Sequence, residues 1–165
     1  MKPRSPSWQL TALLSLLLLA LMAAPAGAQK TTIPASMTAV KREQAWWVGQ
    51  LRLAREIGQK TLVGLQHAPT DERTPIDESV YQAARDTYVL IRAAQHGVME
   101  AVRDDKWHDP LLEITAKKVT AAWHLSRSPV DKAQSSMPRQ EYLTVAIHDL
   151  QQSMRLVDQV LILLP

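Results

Sequence analysis

The chain has no cysteine. That excludes disulfides, thiolate metal sites, covalent haem attachment and a lipid anchor built on cysteine. Glycine is scarce, with 5 in 165 residues, and no Gly-x-Ser-x-Gly turn presents a nucleophile. Valine, isoleucine and threonine never alternate with polar residues over a strand length, so β structure has little support. No inward-facing Glu-x-x-His pair occurs, as a di-iron helical site would need. Charge of one sign is not in real excess. The 19 Lys+Arg face 16 Asp+Glu, and Lys2 and Arg4 belong to a segment expected to be removed. The remainder is near neutral and gives no argument for nucleic acid.

What is present begins with export. Lys2 and Arg4 precede an almost continuous apolar run from Leu10 to Ala24, followed by the small residues Ala26-Gly27-Ala28. The run is short for a bilayer span, and Pro25 and Gly27 break it. Residues 1–28 are therefore expected to be a signal peptide cleaved before Gln29. Residues 29–165 are expected to form one domain, periplasmic or secreted, with no stable membrane insertion. No second hydrophobic span follows, so such a module would signal only through a partner.

Proline punctuates the rest. Thr74-Pro75-Ile76-Asp77-Glu78 offers a cap, a proline for the first helical position and first-turn acids. Asp109-Pro110 with Glu113 repeats the device, and Ser136-Met137-Pro138 with Glu141 is a third version. Ser36, after Pro34, can cap a first helix. The spacing predicts helices over about 36–66, 75–104, 110–127 and 137–164. Each carries an apolar stripe of helical period. In the second it runs Val80, Ala84, Thr87, Ile91, Ala94, Val98, Val102, and in the fourth Leu143, Ile147, Leu150, Met154, Val157, Leu161, Leu164. The third shows Leu112, Ala116, Val119 and Trp123, with a second ridge of Leu111, Ile114, Ala121 and Leu125. The expected fold is all-α, an antiparallel four-helix bundle.

Trp46 and Trp47 stand side by side on the first helix. Neighbours on a helix diverge by about 100°, so the pair should straddle a wide apolar face, one ring toward each adjoining helix. The strip containing Val40, Trp47, Leu51, Ala54, Gly58, Leu62 and Leu65 adjoins one containing Trp46, Leu53 and Ile57. Glu43, Gln50 and Thr61 project between them. Buried polar groups cost stability unless hydrogen-bonded. Two expectations stay open: a structural network reaching Gln95 or Asp158, or a small polar pocket between helices. The pocket would be lined by Glu43, Trp46, Trp47, Gln50 and Arg52.

Five histidines invite a metal reading, yet only His96 with Glu100 has ligand spacing, with Met99 nearby, and no second pair faces them. No catalytic constellation is evident, so neither enzyme activity nor a cofactor is expected. A ridge of Arg85, Arg92 and Arg103, flanked by Tyr81, Tyr88 and His96, suits an acidic partner or a solvated helix face.

Gln50-Leu51-Arg52-Leu53-Ala54-Arg55 resembles the Gln-Arg-Met-Ala-Lys signature in the first helix of the PilJ/NarX-type periplasmic sensor module. Gln82-Ala83-Ala84-Arg85-Asp86-Thr87-Tyr88, ending at His96-Gly97, is similar to its second helix. Val119 and Trp123 are similar to its Leu/Val…Trp element. The resemblance implies a four-helix sensory bundle lying outside the inner membrane. The expected function is thus a non-catalytic sensory or binding module for a small ligand or an envelope protein. A structural or chaperone-like protein that binds polypeptide is the alternative, and a metal or haem carrier is a third.

Overall fold

The computed structural model describes the backbone of residues 35–105, 108–132 and 136–164, with side chains from Glu43 onward except Lys132. The expected signal segment, its cleavage point, and the side chains of Ser36 and Val40 lie outside the described residues. Every described element is helical: α1 (Ala35–Gln66), α2 (Glu78–Asp104), α3 (Pro110–Ser126), the single turn α4 (Ser128–Lys132) and α5 (Arg139–Leu163). No strand occurs among the described residues.

The helix starts follow from local hydrogen bonding. α2 begins at Glu78, later than the proline at 75 suggests. The Asp71 carboxylate accepts the backbone N–H of Arg73 at 3.0 Å and of Thr74 at 2.8 Å, which commits Thr74 to a turn. Ile76 is then buried, and Asp77 becomes the cap, accepting the Ser79 N–H at 2.8 Å. These donors hold both carboxyl groups below the usual aspartate range, the Thr74 amide for Asp71 and the Ser79 amide for Asp77. At α3, Asp109 accepts the Leu111 N–H at 2.9 Å, and Pro110 takes the first position, where no N–H is needed. α5 starts at Arg139 without a side-chain cap, its first turn closed by Tyr142 N–H on the Pro138 carbonyl at 2.9 Å.

α4 falls where an irregular connection was expected. The Arg127 carbonyl accepts the N–H of Val130 and Asp131, both at 3.0 Å. The buried Tyr142 hydroxyl donates to the Pro129 carbonyl at 2.9 Å, tying this turn to α5. Burial, with Tyr81 close by, pushes the Tyr142 phenol well up from its ordinary range.

α1 and α3 each pack against both α2 and α5. Small residues mark the closest approaches. A Cβ at Gly97 would stand 3.2 Å from Trp47 Cβ; one at Gly58 would be 3.3 Å from Thr87 Cγ2 and would collide with the Met154 sulfur. At Gly64 it would meet Val80 Cγ2 at 2.7 Å. α3 is joined to α5 by Ser153 Oγ donating to the Ala122 carbonyl at 2.8 Å and Lys118 Nζ donating to Gln159 at 2.6 Å.

The core is built by Trp47, Leu51, Ala54 and Leu65 of α1, Ile91, Ala94 and Val98 of α2, Val119 and Ala122 of α3, and Leu150, Val157 and Val160 of α5. Both long stripes expected for α2 and α5 line it, with Val80, Val102, Ile147 and Leu161 at its half-buried margin. The second ridge expected on α3 is not buried. Leu111, Ile114 and Ala121 are exposed and Leu125 half-exposed, while Thr115, Ala122 and Ser126 turn inward. Ile114 stands five residues from Val119, about 140° round the helix, too far to reach the same core. Trp123 is likewise half-buried at the core margin.

Candidate interaction surface

Three of the buried hydroxyls, those of Thr61, Thr87 and Ser126, are bonded within their own helix. Thr61, 1 % exposed, donates its hydroxyl to the Ile57 carbonyl at 2.9 Å. Thr87 donates to the Ala83 carbonyl at 2.8 Å, and Ser126 to the Trp123 carbonyl at 2.8 Å. Such back-bonding within one helix satisfies the hydroxyl without a partner helix. Apart from Asp158 Oδ1, which is ion-paired with Arg55, four buried side-chain polar atoms have no hydrogen-bond partner among the described residues: Trp47 Nε1, Trp123 Nε1, Thr115 Oγ1 and Ser128 Oγ.

The residues expected to line a pocket do not gather in one place. Glu43 is exposed, Gln50 half-buried and Thr61 sealed in the core. Arg52 is exposed and lies two residues from Gln50, about 200° round α1. Arg55 pairs with Asp158 of α5 at 2.5 Å on the surface, so Asp158 is not a partner for Glu43 inside. By helical spacing Glu43 and Gln50 lie within about 60° of Trp46 on α1, and Trp46 approaches Gly97 of α2.

Here the two tryptophans part company. Trp47 is 1 % exposed and Trp46 is 54 % exposed. Both approach the same residue of α2 rather than two different helices. Trp46 Cζ3 stands 3.2 Å, and Trp47 Cδ1 3.3 Å, from the point a Cβ at Gly97 would occupy. Glycine thus lets one ring enter the core and the other lie over the helix backbone. Leu53, two turns along from Trp46 on the same side, is 46 % exposed. A Cβ at Gly49, between them, would meet nothing within 4 Å. The result is an open apolar flank.

The arginine ridge divides as well. Arg103 lies 3.2 Å from Asp104 and 3.9 Å from Glu100, and His96 is 3.7 Å from Glu100. Arg85 and Arg92 are exposed and make no ion pair among the described residues. Between them in sequence, Tyr88 stacks on Trp123 of α3 with centroids 6.4 Å apart, and His124 tilts against Trp123 at 4.6 Å. Tyr81 is half-buried against the core instead. The stack joins α2 to α3, a role sequence spacing did not suggest for Trp123; its only signal was a tryptophan and histidine side by side on a helix.

Among the described residues no group of three or more His, Asp or Glu is placed to hold a metal ion. No described helix is long and apolar enough to cross a membrane. Compared with family models, curated proteins and solved structures, the chain matches none.

Proposed function

We propose that this protein is an exported, non-catalytic helical module that recognises an envelope protein through its outer surface. The proposed architecture is an antiparallel four-helix bundle. The contacts of Gly97 with Trp47, Gly58 with Thr87 and Gly64 with Val80 support opposite directions for α1 and α2. The basic and apolar pattern of residues 1–28 supports export with cleavage before Gln29.

One observation carries the functional reading: the bundle buries Trp47 and leaves its neighbour Trp46 more than half in solvent. Exposed aromatics are the side chains that dominate protein–protein contacts. Folding does not require this one, because Trp47 already fills the core at that level. On the stripe expected to line a pocket, the one sealed residue, Thr61, is back-bonded to its own helix, which favours the surface over an internal ligand pocket there. Thr61 has no hydroxyl proton to offer a ligand.

Affinity capture from envelope extract, with wild type and Trp46→Ala compared quantitatively, tests this. A partner retained by wild type and lost by the variant is the expected result. Equal capture by both proteins, with both folded, would remove Trp46 from the reading. Mass spectrometry of the protein from its producing cell should find Gln29 at the N-terminus, cyclised or not.

A further inference from the structure

We propose a second docking surface, independent of Trp46, on the edge of α2 that meets α3: Arg85 and Arg92 receive an acidic helix of a protein partner. The two residues are seven apart, so they rise from the same side of α2 about 10.5 Å apart along its axis. A helix laid alongside meets that repeat with carboxylates seven residues apart. Both guanidiniums are exposed and unpaired among the described residues. They therefore carry their full charge to a partner, with no internal ion pair to break. Arg103 differs, because Glu100 and Asp104 already occupy it.

The surroundings reinforce the sign. On α3, Lys117 and His124 are exposed, and Asp131 of α4 is engaged by Arg127 at 2.5 Å. Asp86, next to Arg85 in sequence, lies about 100° round α2 from it and accepts the Gln82 amide there at 2.7 Å. Midway between the arginines lies the half-buried Tyr88–Trp123 stack. Its outer faces suit an apolar side chain placed about one turn from either acid on the incoming helix. Cation, aromatic, cation along one helix edge thus matches acid, apolar, acid along another. Arginine favours this role because its planar fork can bind a carboxylate through two hydrogen bonds.

A polypeptide fits better than a lipid surface. The cationic groups form a line along one helix edge with a narrow apolar centre, the Tyr88–Trp123 stack and the exposed Val89, rather than a ring around a broad apolar patch. The large apolar residues exposed on α3, Leu111 and Ile114, lie toward its first turns, beside Glu113.

The test uses the folded protein and a synthetic alanine-based helix bearing two glutamates seven residues apart with a leucine between them. Titration calorimetry at low and at physiological salt should show binding that weakens as salt rises. The Arg85→Glu/Arg92→Glu variant should lose about tenfold or more in affinity and should bind the matching peptide with lysines in place of the glutamates. The milder Arg85→Ala/Arg92→Ala variant should lose affinity without gaining the lysine peptide. Arg103→Glu should leave binding unchanged. Circular dichroism checks that each variant is folded. No binding of the glutamate peptide to wild type would overturn the proposal. Equal binding by the charge-reversed variant, or arginine-dependent binding to phosphatidylglycerol vesicles in place of the peptide, would do the same.

Discussion

The indole of Trp46 lies across Gly97, with Cζ3 3.2 Å from where a Cβ would stand. Any side chain at residue 97 must push against Trp46 and against the Cβ of Trp47, which the core holds in place. Gly97→Leu should therefore displace the Trp46 ring fully into solvent and lower stability by about 1–3 kcal/mol, as overpacking does. Urea unfolding and a red shift of tryptophan emission report the two effects. Unchanged stability and emission would mean that the two helices separate freely at this level.

The tryptophan pair should split energetically as it does in space. Trp47→Ala removes a ring buried among α1 and α2 and should cost about 3–5 kcal/mol. Trp46→Ala should cost about 1 kcal/mol or less, because most of its surface is already wet. Comparable losses for the two would place Trp46 in the core.

Trp123 carries an indole N–H that is buried and unpartnered among the described residues, while its ring stacks on Tyr88. An unmet buried donor costs about 1–3 kcal/mol. Trp123→Phe keeps an aromatic face and removes the donor, so its chemical-denaturation midpoint should equal or exceed that of wild type. Trp123→Ala should lower it clearly. A phenylalanine variant as unstable as the alanine one would show that the indole N–H is satisfied.

Much of this fold is legible in the sequence, for reasons that residues make plain. Asp109-Pro110 marks the start of α3, because a carboxylate cap and a donor-free first residue both suit a helix N-terminus. The stripes of α2 and α5 repeat often enough to define a core face. The ambiguous cases are those with two apolar options. On α3, Leu111 and Ile114 look as fit for burial as Ala122, and Thr115 and Ser126 look polar although they turn inward. α4 is five residues long, too short to carry a period. The start of α2 depends on Asp71, three residues before Thr74, capturing two backbone amides. At the surface, the seven-residue spacing of Arg85 and Arg92 is evident from numbering alone. The unequal exposure of Trp46 and Trp47 is not, because it is decided by a glycine fifty residues away in sequence.

Asp77 makes the stability of α2 pH-dependent. Its carboxyl group is held below the ordinary aspartate value of about 3.9 by the Ser79 amide. A depressed folded-state pKa contributes stability that is present above the unfolded value and is lost as pH falls through the folded one. Unfolding midpoints should thus fall as pH is lowered below about 4. Asp77→Asn, which also caps, should match wild type at neutral pH and show a smaller acid loss. An identical acid profile for the two proteins would remove Asp77 as a contributor.

Recognition through the outer surface at Trp46 is tested most directly by placing a photo-crosslinking benzophenone amino acid at residue 46 in the producing cell. Gln59, exposed elsewhere on α1, and Trp47, buried, serve as control positions. Illumination should yield a discrete adduct with one envelope protein from residue 46 and none from 47 or 59. No adduct at 46, or the same adducts from all three positions, would contradict a specific partner surface there.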